Sequence, residues 1–323
     1  MQAGKTSLSI KLAKKINADI ISIDSMQVYK YMDIGTAKVT EEEKEGIMHH
    51  MIDVQEPDER FSVAEYIRKV KRIEQDILKR GKNIIIIGGT GLYVNSLIYG
   101  FTFEENDEKV LLDYRKSLEE SIESGKETLD TLYEKAKKID EKAADMISRT
   151  DKKRIFRILE IYYLSNTGKT EIDKIRKENN EVSDIRVGVY NYNKNLEYKL
   201  FYIDMDREIL YNRINKRVEI MIELGLIEET KKVIEIIANK KKVNYEEILK
   251  HYDDITALQA IGYREVIVYL KNEIDYEEMK EKIKQNTRRY AKRQITWFKK
   301  NEKIMLDREK TDEELIEIIM QNI

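Results

Sequence analysis

Cysteine is absent from this chain, proline and tryptophan each occur once, and histidine occurs three times. Without thiols, neither a disulfide framework nor a thiolate metal site can form. The histidines are His49, His50 and, far away, His251. Adjacent residues on a strand face opposite sides, so His49 and His50 do not share one ion, and structural hydrogen bonding is their expected role. No apolar run approaches the roughly 20 residues that span a bilayer, and no signal-peptide pattern opens the chain. A cytoplasmic location away from membranes is the expectation. Net charge is −2, so the total gives no support for a nucleic-acid partner; local patches must supply it.

What is present is a 323-residue chain, 41% hydrophobic and 37% charged, long enough for one large domain or two modest ones. Two short runs read as buried parallel strands: Ala18 to Ile23, ending at Asp24, and Asn83 to Ile87, ending at Gly88-Gly89. Between them fall helical patterns. Ser7 to Ile16 puts Leu8, Leu12 and Ile16 on one face. Ser62 to Arg80 starts on an N-cap serine and stops at Gly81. This alternation predicts an α/β core with a parallel sheet. From about Glu104 to Asn180 Lys and Glu dominate and apolar residues recur at helical spacing (Leu111, Leu112, Leu118, Ile122; Leu129, Leu132, Ala136), which predicts a mostly helical insertion. Residues 179–195 read as an irregular return. Leu200 to Ile203 reads as a strand that ends at Asp204 and rejoins the sheet. Everything after Arg207 reads as helix, broken near Gly225 and Gly262.

Several segments could carry chemistry. Gly4-Lys5-Thr6, leading into a helix, matches the end of a phosphate-binding P-loop, where backbone N–H groups wrap phosphate, Lys adds charge and Thr holds Mg²⁺. On the tripeptide alone, a surface GKT at a helix start is the plainer explanation. Asp24 closes a predicted strand, where open α/β sheets bind ligands, and can take a proton; the alternative is a turn cap. Gln27 offers a donor and an acceptor suited to a base edge. Gly88-Gly89-Thr90-Gly91 allows backbone to approach a ligand and presents the Thr90 hydroxyl. No Asp ends that strand, which weakens an ATPase reading. Arg217 follows the third predicted strand and could reach a phosphate or form a surface ion pair. Eight Lys/Arg and no acid lie between Lys282 and Lys300, with Arg289, Arg293 and Lys300 on one face and Tyr290, Trp297 and Phe298 interleaved. Lys152-Lys153-Arg154 with Arg157 forms a second cluster. Cations with aromatics suit phosphate contact and base stacking. Any single run of this kind is usually a solvated helix face.

Taken together, the segments resemble the tRNA dimethylallyltransferases. The resemblance is carried by Asp24 to Tyr29, Met32 to Lys38, His49 to Asp53, Gly88 to Tyr93, Arg154 with Arg157 to Glu160, Ile261 to Glu265 and Tyr290 to Phe298. It implies an α/β, P-loop NTPase-like core made of residues 1–104 and 183–323, with C-terminal helices, and a helical insertion at 105–182 that clasps the tRNA anticodon stem-loop. It implies transfer of a dimethylallyl group from dimethylallyl diphosphate to N6 of adenosine, Mg²⁺ as cofactor, and a monomer. Residue by residue, Asp24 would be the general base, with Thr90 and Arg217 beside the reacting centre. Gly4, Lys5, Thr6 and Arg217 would hold diphosphate, and Thr6 the metal. Asp24, Ser25, Met26, Gln27, Lys153, Arg154, Arg157, Gly262, Tyr263, Arg264, Arg289 and Arg293 would meet the RNA. The family's loop runs Gly-Pro-Thr-Ala-x-Gly-Lys-Thr after a strand. The expectation is therefore that its front half and first strand lie ahead of Met1, through a misplaced start or a truncation. Two alternatives stay open: a P-loop small-molecule kinase, and a tRNA-binding remnant with an impaired phosphate site.

Overall fold

The structure, a computed structural model, describes residues 4–98, 105–171, 174, 189–193 and 196–323; for 105–109, 164–165 and 189–193 it describes the backbone only. The chain divides into two compact units, Met1–Gly100 with Ile185–Ile323, and Phe101–Asp184.

The first unit is built around strand β1 (Ala18–Ile23), buried along its whole length. Helix α1 (Lys5–Ile16) precedes it. Helix α2 (Glu41–Lys44) leads into β2 (His49–His50), and helix α3 (Val63–Lys79) leads into β3 (Asn83–Gly88). The three strands pair in parallel in the order β2-β1-β3, with Ile20 opposite both His49 and Ile85. Parallel pairing with helical crossovers follows from β-branched runs separated by amphipathic helices. Leu8 and Leu12 of α1 pack, as their spacing predicts, and the Ser62 hydroxyl accepts from the Glu65 N–H at 3.1 Å to start α3.

Three expectations need correcting. β3 is half-buried, not buried, because Ile84 to Ile87 face an apolar cavity of about 600 Å³. Strand β6 (Phe201–Asp204) exists but does not rejoin the sheet. It lies across that cavity and pairs in parallel with β7 (Ile304–Asp307), a strand inside the stretch that reads as helix. The return segment is irregular only in part. Its described portion, β4 (Val189–Asn193), forms an antiparallel hairpin with β5 (Leu196–Lys199), and residues 179–188 lie outside the described residues.

Helix α4 (Gly91–Ile98) follows β3 directly. The second unit is helical: α5 (Glu105–Glu123), α6 (Leu129–Ile139), α7 (Glu141–Asp145) and α8 (Lys152–Ser165). Its core joins Leu118, Leu132, Ala136, Phe156 and Leu159, whereas Leu112 is exposed. The first unit is completed by α9 (Arg207–Glu223), α10 (Leu226–Lys241), α11 (Tyr245–Lys250), α12 (Tyr263–Leu270), α13 (Tyr276–Phe298) and α14 (Asp312–Met320). Gly225 and Gly262 have φ of 99° and 102°, left-handed values that break the helical run there.

Candidate active site

The carboxyl ends of β1 and β3 are stitched into one platform. A Cβ on Gly88 would lie 2.5 Å from the Ile23 carbonyl oxygen, so only glycine permits this approach. Beyond it, the Thr90 N–H donates to the Ile23 carbonyl at 3.3 Å. The Thr90 Oγ1 accepts from the Ser25 N–H at 3.1 Å. Asp24 leaves β1 at this point, and its Oδ1 accepts from the N–H groups of Met26 (2.9 Å) and Gln27 (3.4 Å). The turn-cap role is therefore real, and one carboxylate oxygen carries both of these bonds. Gln294 of α13 pins the second turn by donating to the Gly89 carbonyl at 2.7 Å.

Above the platform is a cavity of about 340 Å³, the size of a small-molecule site. Lys5 and Thr6 at the start of α1, Asp24 to Gln27 after β1, Arg217 of α9, and Tyr290 and Arg293 of α13 all line it. Lys5 Nζ donates to the Gly88 carbonyl at 3.0 Å, and burial pulls its pKa below the ordinary lysine value. Burial likewise lowers the Arg217 pKa, against the attraction of Glu43. Cations set in a desolvated wall attract an anion more strongly than exposed ones do, and the first turn of α1 adds the positive end of a helix. The Tyr290 hydroxyl is pushed up in pKa first by burial, then by the negative charge of Asp24. One cavity thus holds an acceptor of protons, a cationic end and an aromatic ring.

Not every residue singled out in the sequence reaches this cavity. Gly4, Thr90 and Gly262 to Arg264 do not line it, whereas Gln259 to Ile261 do. Gln27 does line it, but its amide is engaged: Oε1 accepts from Ser22 (2.8 Å), and Nε2 donates to the carbonyls of Thr36 (3.2 Å) and Ala37 (3.4 Å). A base edge would have to compete with those bonds. Tyr263 is fully buried and donates to Glu229, so it has no surface to offer RNA. Arg264 remains partly exposed.

On α13, the acid-free run finds its acids elsewhere. Lys282 pairs with Glu278, and Lys284 with Glu219 and Glu281. Arg289, Arg293, Lys299 and Lys300 stay exposed, while Phe298 is core rather than interleaved surface. Lys153, Arg154 and Arg157 are exposed on α8 of the helical unit, where buried Glu160 takes Arg115 at 2.6 Å and Arg157 at 3.5 Å. His49 meets the Ile47 carbonyl and also lines the cavity, and His50 meets Asp19.

Other lining residues carry no assignment from the sequence. Ile214, Val218 and Met221 join Arg217 in one stripe of α9, and Ile283 and Thr287 join Tyr290 in one stripe of α13. Both stripes have helical i, i+3/i+4, i+7 spacing, and that periodicity was the available signal.

A parallel α/β platform with a helix start, a lysine and an arginine around a carboxylate is suited to an enzyme that handles an anionic, phosphate-bearing substrate. A sequence model described as IPP transferase matches residues 27–301, and the chain belongs to the IPP transferase family. It is 47% identical over 301 residues to a protein named tRNA dimethylallyltransferase from Thermoanaerobacter sp., covering 92% of this chain and 85% of that one. It is 43% identical over 325 residues to the tRNA dimethylallyltransferase of Caldanaerobacter subterraneus, covering 98% and 93%. Among solved structures, the tRNA isopentenylpyrophosphate transferase of Staphylococcus epidermidis is 38% identical with a TM-score of 0.64, covering 99% of this chain and 95% of that one. A eukaryotic dimethylallyltransferase described as acting on tRNA is 28% identical with a TM-score of 0.71, covering 95% and 71%. These relationships favour the prenyl transferase over the small-molecule kinase and over a binding remnant. Among the described residues, no helix is long and apolar enough to cross a membrane.

Proposed function

We propose that this chain transfers the dimethylallyl group of dimethylallyl diphosphate to N6 of adenosine 37, beside the anticodon of tRNA, and releases diphosphate. The observation that carries this is the shared cavity: Asp24 at the end of β1, with Lys5, Thr6 and Arg217 on the α1 and α9 walls. The bond from the allylic carbon to the diphosphate oxygen breaks as the bond from that carbon to N6 forms. The leaving diphosphate takes the electron pair, and Lys5, Arg217 and the N–H groups opening α1 stabilise its charge. The N6 proton passes to a carboxylate oxygen of Asp24, which the turn N–H groups hold in place. The face of Tyr290 suits the positive charge that develops on the allyl group. Walls that exclude water protect that cation from quenching.

Among the described residues, no group of three or more His, Cys, Asp or Glu is placed to hold a metal. Thr6 offers a hydroxyl on the cavity wall and would be the protein ligand to Mg²⁺, which would neutralise leaving-group charge. Arg289 and Arg293 on one unit, and Lys153, Arg154 and Arg157 on the other, are exposed cations suited to RNA phosphates. On this reading the helical unit grips the anticodon stem-loop, the adenine is extruded from its stack to enter the cavity, and the chain acts as a cytoplasmic monomer.

The test is a transfer assay with an adenosine-rich anticodon stem-loop, dimethylallyl diphosphate and Mg²⁺, read by RNA mass. Wild-type chain should add one dimethylallyl group. Asp24→Ala should lower the rate at least about 100-fold while stem-loop affinity largely survives. Unchanged transfer by that variant would refute the role given to Asp24.

A further inference from the structure

Glu229 lies in the first turn of α10 and is absent from the cavity lining, yet two walls of the cavity converge on its carboxylate. Its Oε2 accepts from the N–H groups of Asp33 at 2.9 Å and Ile34 at 2.8 Å. Its Oε1 accepts from the N–H groups of Ile34 and Gly35, each at 3.0 Å, and from the Tyr263 hydroxyl at 2.5 Å. Three successive backbone N–H groups on one anion form a nest, and charge-assisted bonds of this kind are stronger than neutral ones.

The turn so held continues into Gly35, Thr36 and Ala37, all of which line the cavity. The carbonyls of Thr36 and Ala37 are the acceptors for the Gln27 amide. On the other side, Tyr263 stands one glycine beyond Gln259 to Ile261, which line the cavity too. Contact between the walls is close: a Cβ on Gly35 would lie 2.3 Å from the Tyr263 ring. The far side of the turn has its own anchor, because Lys38 Nζ binds Asp33 at 2.7 Å and Asp53 at 2.5 Å. The bonds described for Glu229 go to the 33–35 turn and to Tyr263.

We infer that Glu229 is a positioning residue for the acceptor end of the site, fixing the 33–37 turn against Tyr263 so that Met26 and Gln27 present one shape to the incoming nucleotide. This rests on the transferase activity proposed above. Removing Glu229 leaves three N–H groups without an acceptor, frees the turn, and spares the phosphate end.

Wild type, Glu229→Ala and Glu229→Gln are compared by amide hydrogen exchange, by thermal unfolding, and by steady-state kinetics with each substrate varied in turn. Glu229→Ala should lose exchange protection at Asp33, Ile34 and Gly35 while α3 and β1 keep theirs. Its KM for the stem-loop should rise about tenfold, with KM for dimethylallyl diphosphate within about twofold. Glu229→Gln keeps one acceptor oxygen and should recover part of the loss. An unchanged KM for RNA, or an equal rise for both substrates, would overturn the inference. If the wild-type chain transfers nothing, the proposed activity has failed on its own account, and the same asymmetry is then sought in Kd values for the stem-loop and for dimethylallyl diphosphate. Equal effects on the two would again overturn the inference.

Discussion

Glu74 gives a stability prediction whose size can be worked from the structure. It sits on the buried face of α3, 2% exposed, under the hairpin of β4 and β5, and the Tyr198 hydroxyl donates to it. Burial is the larger influence and pushes its pKa up from 4.5 to about 7; the Tyr198 bond and the Lys71 charge pull the other way. For an acid whose folded pKa is raised, the folded state holds the proton more tightly than the unfolded state. Stability is then unpenalised below pH 4.5, falls as pH rises toward 7, and carries the full penalty above that. At about 1.36 kcal/mol per pH unit, the ceiling on this penalty is about 3 kcal/mol, and roughly 2 kcal/mol is the working expectation. Glu74→Gln preserves the shape, can still accept from Tyr198, and cannot ionise. It should therefore match wild type in urea unfolding near pH 4.5 and exceed it by about 2 kcal/mol near pH 8.5. A difference between the two proteins that is the same at both pH values would refute the reasoning, because a packing effect has no such pH dependence.

Two further outcomes test the division of labour in the site. Lys5→Ala and Arg217→Ala should each raise KM for dimethylallyl diphosphate by about tenfold or more, as expected for loss of a charge-assisted contact, with stem-loop affinity unchanged by filter binding. Because the Lys5 pKa is lowered by burial, diphosphate affinity in the wild type should begin to fall on the alkaline side at a pH below the ordinary lysine range. Arg289→Ala and Arg293→Ala should weaken stem-loop binding across sequences, and each should reduce the slope of log K against log salt by about 0.7 to 0.9. An unchanged slope would remove that arginine from the RNA interface.

How far the sequence could be read depends on where each residue finds its partners. Helices α1 and α3 and strands β1 and β3 are legible because their signals are local: apolar spacing, an N-cap serine, a glycine stop, a run of isoleucines. The strand character of β6 is local too, but its sheet membership is not, since Phe201 pairs with Ile304 about a hundred residues away. β7 and β4 are four and five residues long and stand beside long Lys- and Glu-rich helical patterns, so pairing rather than propensity makes them strands. The same distinction runs through the site. Asp24, Lys5 and Thr6 stand out because chemistry at the ends of elements is a local property, whereas Arg217 lies inside α9 and stands out only as an arginine following a predicted strand. Tyr263 turns inward and Gln27 lines the cavity with its amide engaged, because an amide or phenol suited to a base edge is equally suited to tying protein together. For Tyr263 that tie is to Glu229, 34 residues before it and about two hundred after the turn it holds. A polar side chain near a cavity is therefore a candidate ligand contact only once its distant partners are known. On that ground the exposed arginines of α13 stay candidates for phosphate contact, Gln27 would have to give up protein bonds to meet a base, and Tyr263 belongs to the frame of the pocket.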